Sequence, residues 1–110
     1  MVANEIVVEP LYSTLANDPE LGRIVPLFVE EMPGRVDQLT ARLESADWNG
    51  LRQVAHQMKG AAGSYGFQPI TPVAARLEQA IKDGQPESEI RRLTEELIAM
   101  CRRVRTGSPR

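Results

Sequence analysis

The chain has 110 residues and a formal net charge of −2 at pH 7, and 42% of its residues are hydrophobic. That length suits one domain with one compact core, and no run approaches the roughly 20 apolar residues that a membrane span needs. One cysteine, Cys101, excludes an internal disulfide and any cysteine-cluster metal site. Charge is uneven: residues 1–50 hold nine acids against three bases (−6), and residues 51–110 hold six acids against ten bases (+4). The bases are not gathered in one tract with interleaved aromatics, and aromatics are only 5% of the chain, so nucleic acid is not an expected partner. No basic region followed by an apolar one opens the chain, so no signal peptide is expected. A cytoplasmic protein of a reducing compartment is the expectation.

Met1 to Pro10, MVANEIVVEP, reads as an extended arm or linker, since Ile6, Val7 and Val8 favour extended backbone and Pro10 stops it. A short helix over Leu11–Leu15 is admissible. Asp18-Pro19-Glu20 is a helix start, with a capping aspartate, a proline at the first helical position and an acid in the first turn. From there Ile24, Leu27, Phe28, Met32, Val36, Leu39 and Leu43 recur at steps of three and four, one amphipathic stripe to about Ala46. Pro26 and Pro33 interrupt it, and a kink or break is expected near Pro33 and Gly34.

Asp47-Trp48-Asn49-Gly50 reads as a turn, with Asp47 the N-cap of the next helix and Trp48 plugging the end of the core. That helix runs through LRQVAHQMKGAAGSYGF (51–67) and stops at Gly66, a residue suited to the left-handed C′ position. Thr71-Pro72 repeats the cap-then-proline signal, and Val73, Leu77, Ala80 and Ile81 form a stripe ending at Asp83-Gly84. The last helix starts near Pro86 or Ser88 and carries Ile90, Leu93, Leu97, Met100 and Val104, with Arg102, Arg103 and Arg105 in its final turns. Thr106–Arg110 should fray. Four amphipathic helices with short connections predict an all-α, antiparallel up-down-up-down four-helix bundle over 11–105, preceded by a short arm or helix. No strand pairing is expected.

At about 100° per residue, Leu51, Val54, Met58, Ala61 and Tyr65 share one side of the second helix, and Asn49, Arg52, Gln53, His56, Lys59, Gly60 and Gly63 share the other. The only histidine thus stands opposite the apolar stripe. Two glycines inside a helix each cost roughly 1 kcal/mol relative to alanine. Both lie beside His56, as they would if another surface must approach the imidazole where a Cβ would obstruct it.

A metal site is not expected, because no second histidine exists and no carboxylate is near on that helix face. A hydrolytic triad is not expected either: Ser64 points elsewhere and no acid is placed to orient the ring. A nucleophile toward phosphorus needs less, namely an accessible neutral imidazole nitrogen, room, and a cation. Lys59 gives the cation, Gly60 and Gly63 give the room, and Arg52 and Gln53 flank the ring on its N-terminal side.

His56-Gln57-Met58-Lys59-Gly60-Ala61-Ala62-Gly63-Ser64-Tyr65-Gly66 resembles the signature of histidine-containing phosphotransfer (HPt) domains of bacterial phosphorelays. In that family the pattern is His, any residue, Leu or Met, Lys, Gly, a small residue, then a glycine ten positions after the histidine. The resemblance implies that His56 accepts a phosphoryl group from a receiver-domain aspartate and passes it to another receiver. It implies that Lys59 lies near the phosphate and that Gly60 opens the docking surface; Arg52, Gln53 and Gly63 are expected on the docking rim from their place on the helix face alone. No cofactor is implied, because the divalent metal of such reactions belongs to the receiver. A carrier without ATP binding or autokinase activity, acting as a monomer, is the expectation. The alternatives are the phosphoacceptor domain of a chemotaxis-type kinase, and a helical adaptor that binds a receiver without taking phosphate. The dimerising phosphoacceptor domain of sensor kinases fits less well, because its histidine is followed by an acid and shortly by a proline, where Gln57 and Met58 stand here.

Overall fold

The protein is described by a computed structural model covering residues 9–108. Four helices carry the fold: α1 (Val25–Glu44), α2 (Trp48–Ser64), α3 (Ile70–Lys82) and α4 (Glu87–Cys101). Helix α1 packs against α2 and α4, and α3 against the same two, which closes a ring around one core. Phe28, Leu39, Leu51, Met58, Phe67, Ile70, Leu77 and Leu97 are its largest fully buried side chains. At one end Phe28 stacks on Tyr65 and Phe67, with centroids 4.9 and 5.3 Å apart.

The helix expected from Asp18-Pro19-Glu20 does not start there: Pro19 and Glu20 lie in a turn, and the first helical residue is Leu21. Asp18 Oδ1 accepts from the backbone N–H of Glu20 and Leu21 at 2.9 and 2.8 Å, and these bonds hold its carboxyl below the usual range. They open a single 3₁₀ turn, Leu21–Ile24, that leads into α1. Pro26 falls in the first turn of α1, where its missing N–H has no helical partner to lose.

The expected break at Pro33 does not occur: α1 is one helix of 20 residues with Pro33 inside it. The ring lies on an exposed position, so water can reach the carbonyl of Val29 that it deprives of a donor. The buried stripe of α1 is Val25, Phe28, Met32, Val36, Leu39 and Leu43. Leu27 is a correction, being 54% exposed, since it sits about 100° round the helix from Phe28.

Asp47 caps α2 as expected, accepting from Gly50 N–H at 3.0 Å, and the helix already begins at Trp48, which packs half-buried against the core. Gly66 takes φ +83° at the C′ position. A Cβ there would collide with Ser13 Oγ and reach 3.0 Å from Leu15 Cγ and Thr14 N. Helix α3 starts one residue before Thr71, which does not cap it; its hydroxyl donates instead to the carbonyl of Lys59 at 3.1 Å. The stripe of α3 buries Val73, Leu77 and Ala80, and Ile81 is half-buried.

Two expectations fail at the chain ends. The short helix admitted over Leu11–Leu15 does not form, and contrary to expectation strands do pair: β1 (Leu11–Tyr12) runs parallel to β2 (Val104–Arg105), a two-residue addition to an otherwise all-α, four-helix architecture. Helix α4 stops at Cys101, so Arg102 is its C-cap, and Arg103 and Arg105 lie beyond its last turn. Arg103 Nε donates to the carbonyl of Glu9 at 2.7 Å, and Leu11 N–H donates to the carbonyl of Arg103 at 2.7 Å. Of the expected arm, residues 1–8 lie outside the described residues, as do Pro109 and Arg110 of the expected frayed tail; Thr106–Ser108 are exposed.

Ala46 closes α1 with φ +55°, a left-handed conformation that a side chain disfavours. Ala46→Gly should therefore raise the unfolding free energy by up to about 1 kcal/mol, read from urea denaturation. Gly66→Ala should lower it by at least about 2 kcal/mol, because strain and collision act together.

Candidate functional site

His56 sits midway along α2, between Leu51 and Ala55 on one side of the turn and Met58 on the other, all fully buried. Those three anchor the helix, and the imidazole stands on its outer face with the side chain 64% exposed. Its Nε2 edge is not engaged by any hydrogen bond among the described residues; its Nδ1 is.

The partner of Nδ1 is Glu78, 2.8 Å away through Oε2. Glu78 comes from α3, and its side chain is only 5% exposed, in the seam between α2 and α3. This overturns the expectation that no acid is placed to orient the ring. The histidine's own helix carries no acid, and Glu78 reaches the ring from the neighbouring helix. A signal was present: Glu78 lies one turn after Ala74, about 40° from it and at the margin of the apolar stripe of α3. A carboxylate there enters the helix–helix seam.

Two ammonium groups complete the cluster. Lys59 Nζ donates to Glu78 Oε1 at 2.8 Å, and Lys82 Nζ lies 3.4 Å from Oε2. The hydrogen bond from Lys59 is the main reason that the Glu78 carboxyl falls to about 2, with the bond from His56 and the charges of both lysines adding to it against the opposing effect of burial. Glu78 is therefore an anion at neutral pH and can only accept, so the hydrogen on Nδ1 belongs to the imidazole. The lone pair of the neutral ring is then on Nε2, facing solvent. Lys59 is thus held on a buried carboxylate from the neighbouring helix, one turn from His56.

The remaining site residues divide. A Cβ on Gly60 would meet nothing within 4 Å, so its flank of the ring is open. Gly63 is different: a Cβ there would touch Thr71 Oγ1 at 3.6 Å, an ordinary contact, so this glycine lies against α3 rather than on a wholly open face. Arg52 is half-buried and donates to Asn49 Oδ1 at 2.9 Å, while Gln53 is exposed. Cys101, the other potential nucleophile, is buried, and burial pushes its thiol up to about 12, which leaves it protonated and inert. Among the described residues no group of three metal-ligating side chains comes together, and no helix is long and apolar enough to cross a membrane.

A family model described as the Hpt domain matches residues 23–107, from the turn before α1 to just past β2. Searches of curated proteins and of solved structures gave no match. Hpt domains are phosphocarrier modules that carry out histidine phosphotransfer in phosphorelays and interact with receiver domains. With the match spanning most of the chain and enclosing His56 and its partners, the chain belongs to the Hpt domain family.

Proposed function

We propose that His56 is the phosphoacceptor, taking a phosphoryl group from the aspartyl phosphate of one receiver domain and giving it to the aspartate of another. The observation that carries this reading is the pairing of an exposed Nε2 with an Nδ1 held by a buried, ionised Glu78. We also read the four helices as an antiparallel up-down-up-down bundle, which their short connections favour, and the protein as a monomer that presents this one face.

The Nε2 lone pair attacks phosphorus in line with the aspartyl oxygen. The N–P bond forms, the P–O bond breaks, and the aspartate carboxylate leaves with the electron pair. Nδ1 keeps its proton throughout, so positive charge grows on the ring and falls directly on Glu78, which is already oriented and anionic. The return step to the second receiver is the reverse. Divalent metal and acidic ligands are the receiver's contribution; this chain offers the Lys59 cation on its side of the contact. Gly60 leaves bare backbone beside the ring, so a receiver can seat its phosphorylated edge against α2.

Incubation with a phosphorylated receiver should label the wild-type chain in an acid-labile, base-stable form, and His56→Gln should take no label. Equal labelling of the two would refute the assignment. Gly60→Leu should keep the helical circular dichroism and slow transfer at least about 10-fold, since its side chain projects into open space within the docking zone; Gly63→Leu is a poorer test because it would press on Thr71.

Glu78→Gln should slow transfer at least about 10-fold, by analogy with the carboxylates that orient metal-bound imidazoles. Nitrogen chemical shifts should report a tautomer mixture in place of a single Nδ1–H form. The carboxyl of Glu78 is lowered in the fold to about 2 from an ordinary 4.5, so its contribution to stability is present above pH 4.5 and disappears as pH falls from there toward 2. That contribution is roughly 1–2 kcal/mol after solvent screening of the partly exposed lysines. Urea denaturation of wild type across pH 2–5 should show the loss, and Glu78→Gln should lack that part of it.

A further inference from the structure

The Hpt reading accounts for His56, Lys59 and Gly60. It leaves Lys82 unassigned, although this residue stands on the same buried carboxylate. Lys82 is the last residue of α3, one helical turn after Glu78, and belongs neither to the histidine's helix nor to the His56–Gly66 signature. The two lysines hold Glu78 differently. Lys59 is 2.8 Å from Oε1, with its side chain 35% exposed. Lys82 is 3.4 Å from Oε2, the oxygen that already accepts from His56, and its side chain is 48% exposed. Lys59 is thus the firm partner, on the oxygen away from the ring. Lys82 is the looser one, on the oxygen nearest the ring, at the end of a flexible four-carbon stem.

Charge bookkeeping gives Lys82 its task. Phosphorylation brings about −1.5 to −2 charges onto Nε2, next to a carboxylate that is itself held ionised by its surroundings. Two like-charged groups on one imidazole would oppose loading. The ring's own positive charge offsets part of this, and Lys59 remains bound to Oε1. Lys82 gives up only a long contact when its ammonium group turns toward a phosphoryl group on the adjoining ring.

We infer that Lys82 is a positioning cation for the phosphorylated state: it turns from Glu78 toward the phosphoryl group and so biases the phosphoryl equilibrium toward His56. The bond changes are those already given, N–P formation with departure of the donor's leaving group, and Lys82 exchanges no proton or electron pair. This rests on His56 being the phosphoacceptor.

The test needs no receiver. The full chain is equilibrated with phosphoramidate at fixed ammonium concentration, and the phosphorylated fraction is read by intact mass. Donor and product both carry a P–N bond, so the ratio is sensitive to small changes at the site. Lys82→Gln should lower the ratio of phosphorylated to free chain about 3–10-fold, and Lys82→Arg should restore it to within about twofold of wild type. The deficit of Lys82→Gln should shrink in high salt, as an ionic contribution must. A helix-end role alone would move the urea midpoint and leave the phosphorylated ratio unchanged; an unchanged ratio in Lys82→Gln overturns the inference while His56 remains the acceptor. A wild-type chain that takes no phosphoryl group, or a His56→Gln chain that takes as much, overturns the reading beneath it.

Discussion

A carboxylate with almost no water contact, placed between an imidazole and two ammonium groups, is the constraint from which the rest of this protein follows. Glu78 is 5% exposed at its side chain and remains ionised because Lys59 and His56 donate to it. Left alone, a buried carboxylate would take up a proton. Held as an anion, it dictates which ring nitrogen keeps the hydrogen, and hence which one faces outward with a lone pair. The chemistry of the exposed edge is thus set from beneath, by a residue on another helix.

That arrangement needs α2 and α3 in a fixed register. Thr71 bonds the carbonyl of Lys59, so the N-terminal turn of α3 is tied to α2 one turn from the histidine. Gly63 lies beside that same threonine, where a Cβ would make only an ordinary contact. The aromatic stack of Phe28 with Tyr65 and Phe67 then fixes the far end of α2. Packing and polar geometry therefore agree: the helix pair with the most extensive contact is the one whose seam holds Glu78.

Much of this was legible in the sequence because it is local. The cap at Asp47, the stop at Gly66 and the outward face of His56 each depend on neighbours within one or two turns, where residue type and helical period decide. What was not legible is tertiary. Glu78 is 22 residues from His56, and helical period alone does not say which seam it enters. Pro33 looked like a breaker by its chemistry, yet it lies where solvent tolerates the lost bond. Leu27 fits the spacing of the stripe but turns away from it, since positions 27 and 28 cannot both face the core squarely. The β1–β2 pair joins segments at opposite ends of the chain, and two residues are too few to show a period.

That small pair has a mechanical consequence. The strands run parallel, with Leu11 opposite Val104 and Tyr12 opposite Arg105. Tension applied to the segments before β1 and after β2 pulls the two strands past each other lengthwise, so their hydrogen bonds are loaded in shear together rather than peeled one at a time. The clasp of Arg103 on Glu9 lies in the same load path. Flanking chain can therefore be tugged without the strain passing first into the helix that carries the histidine.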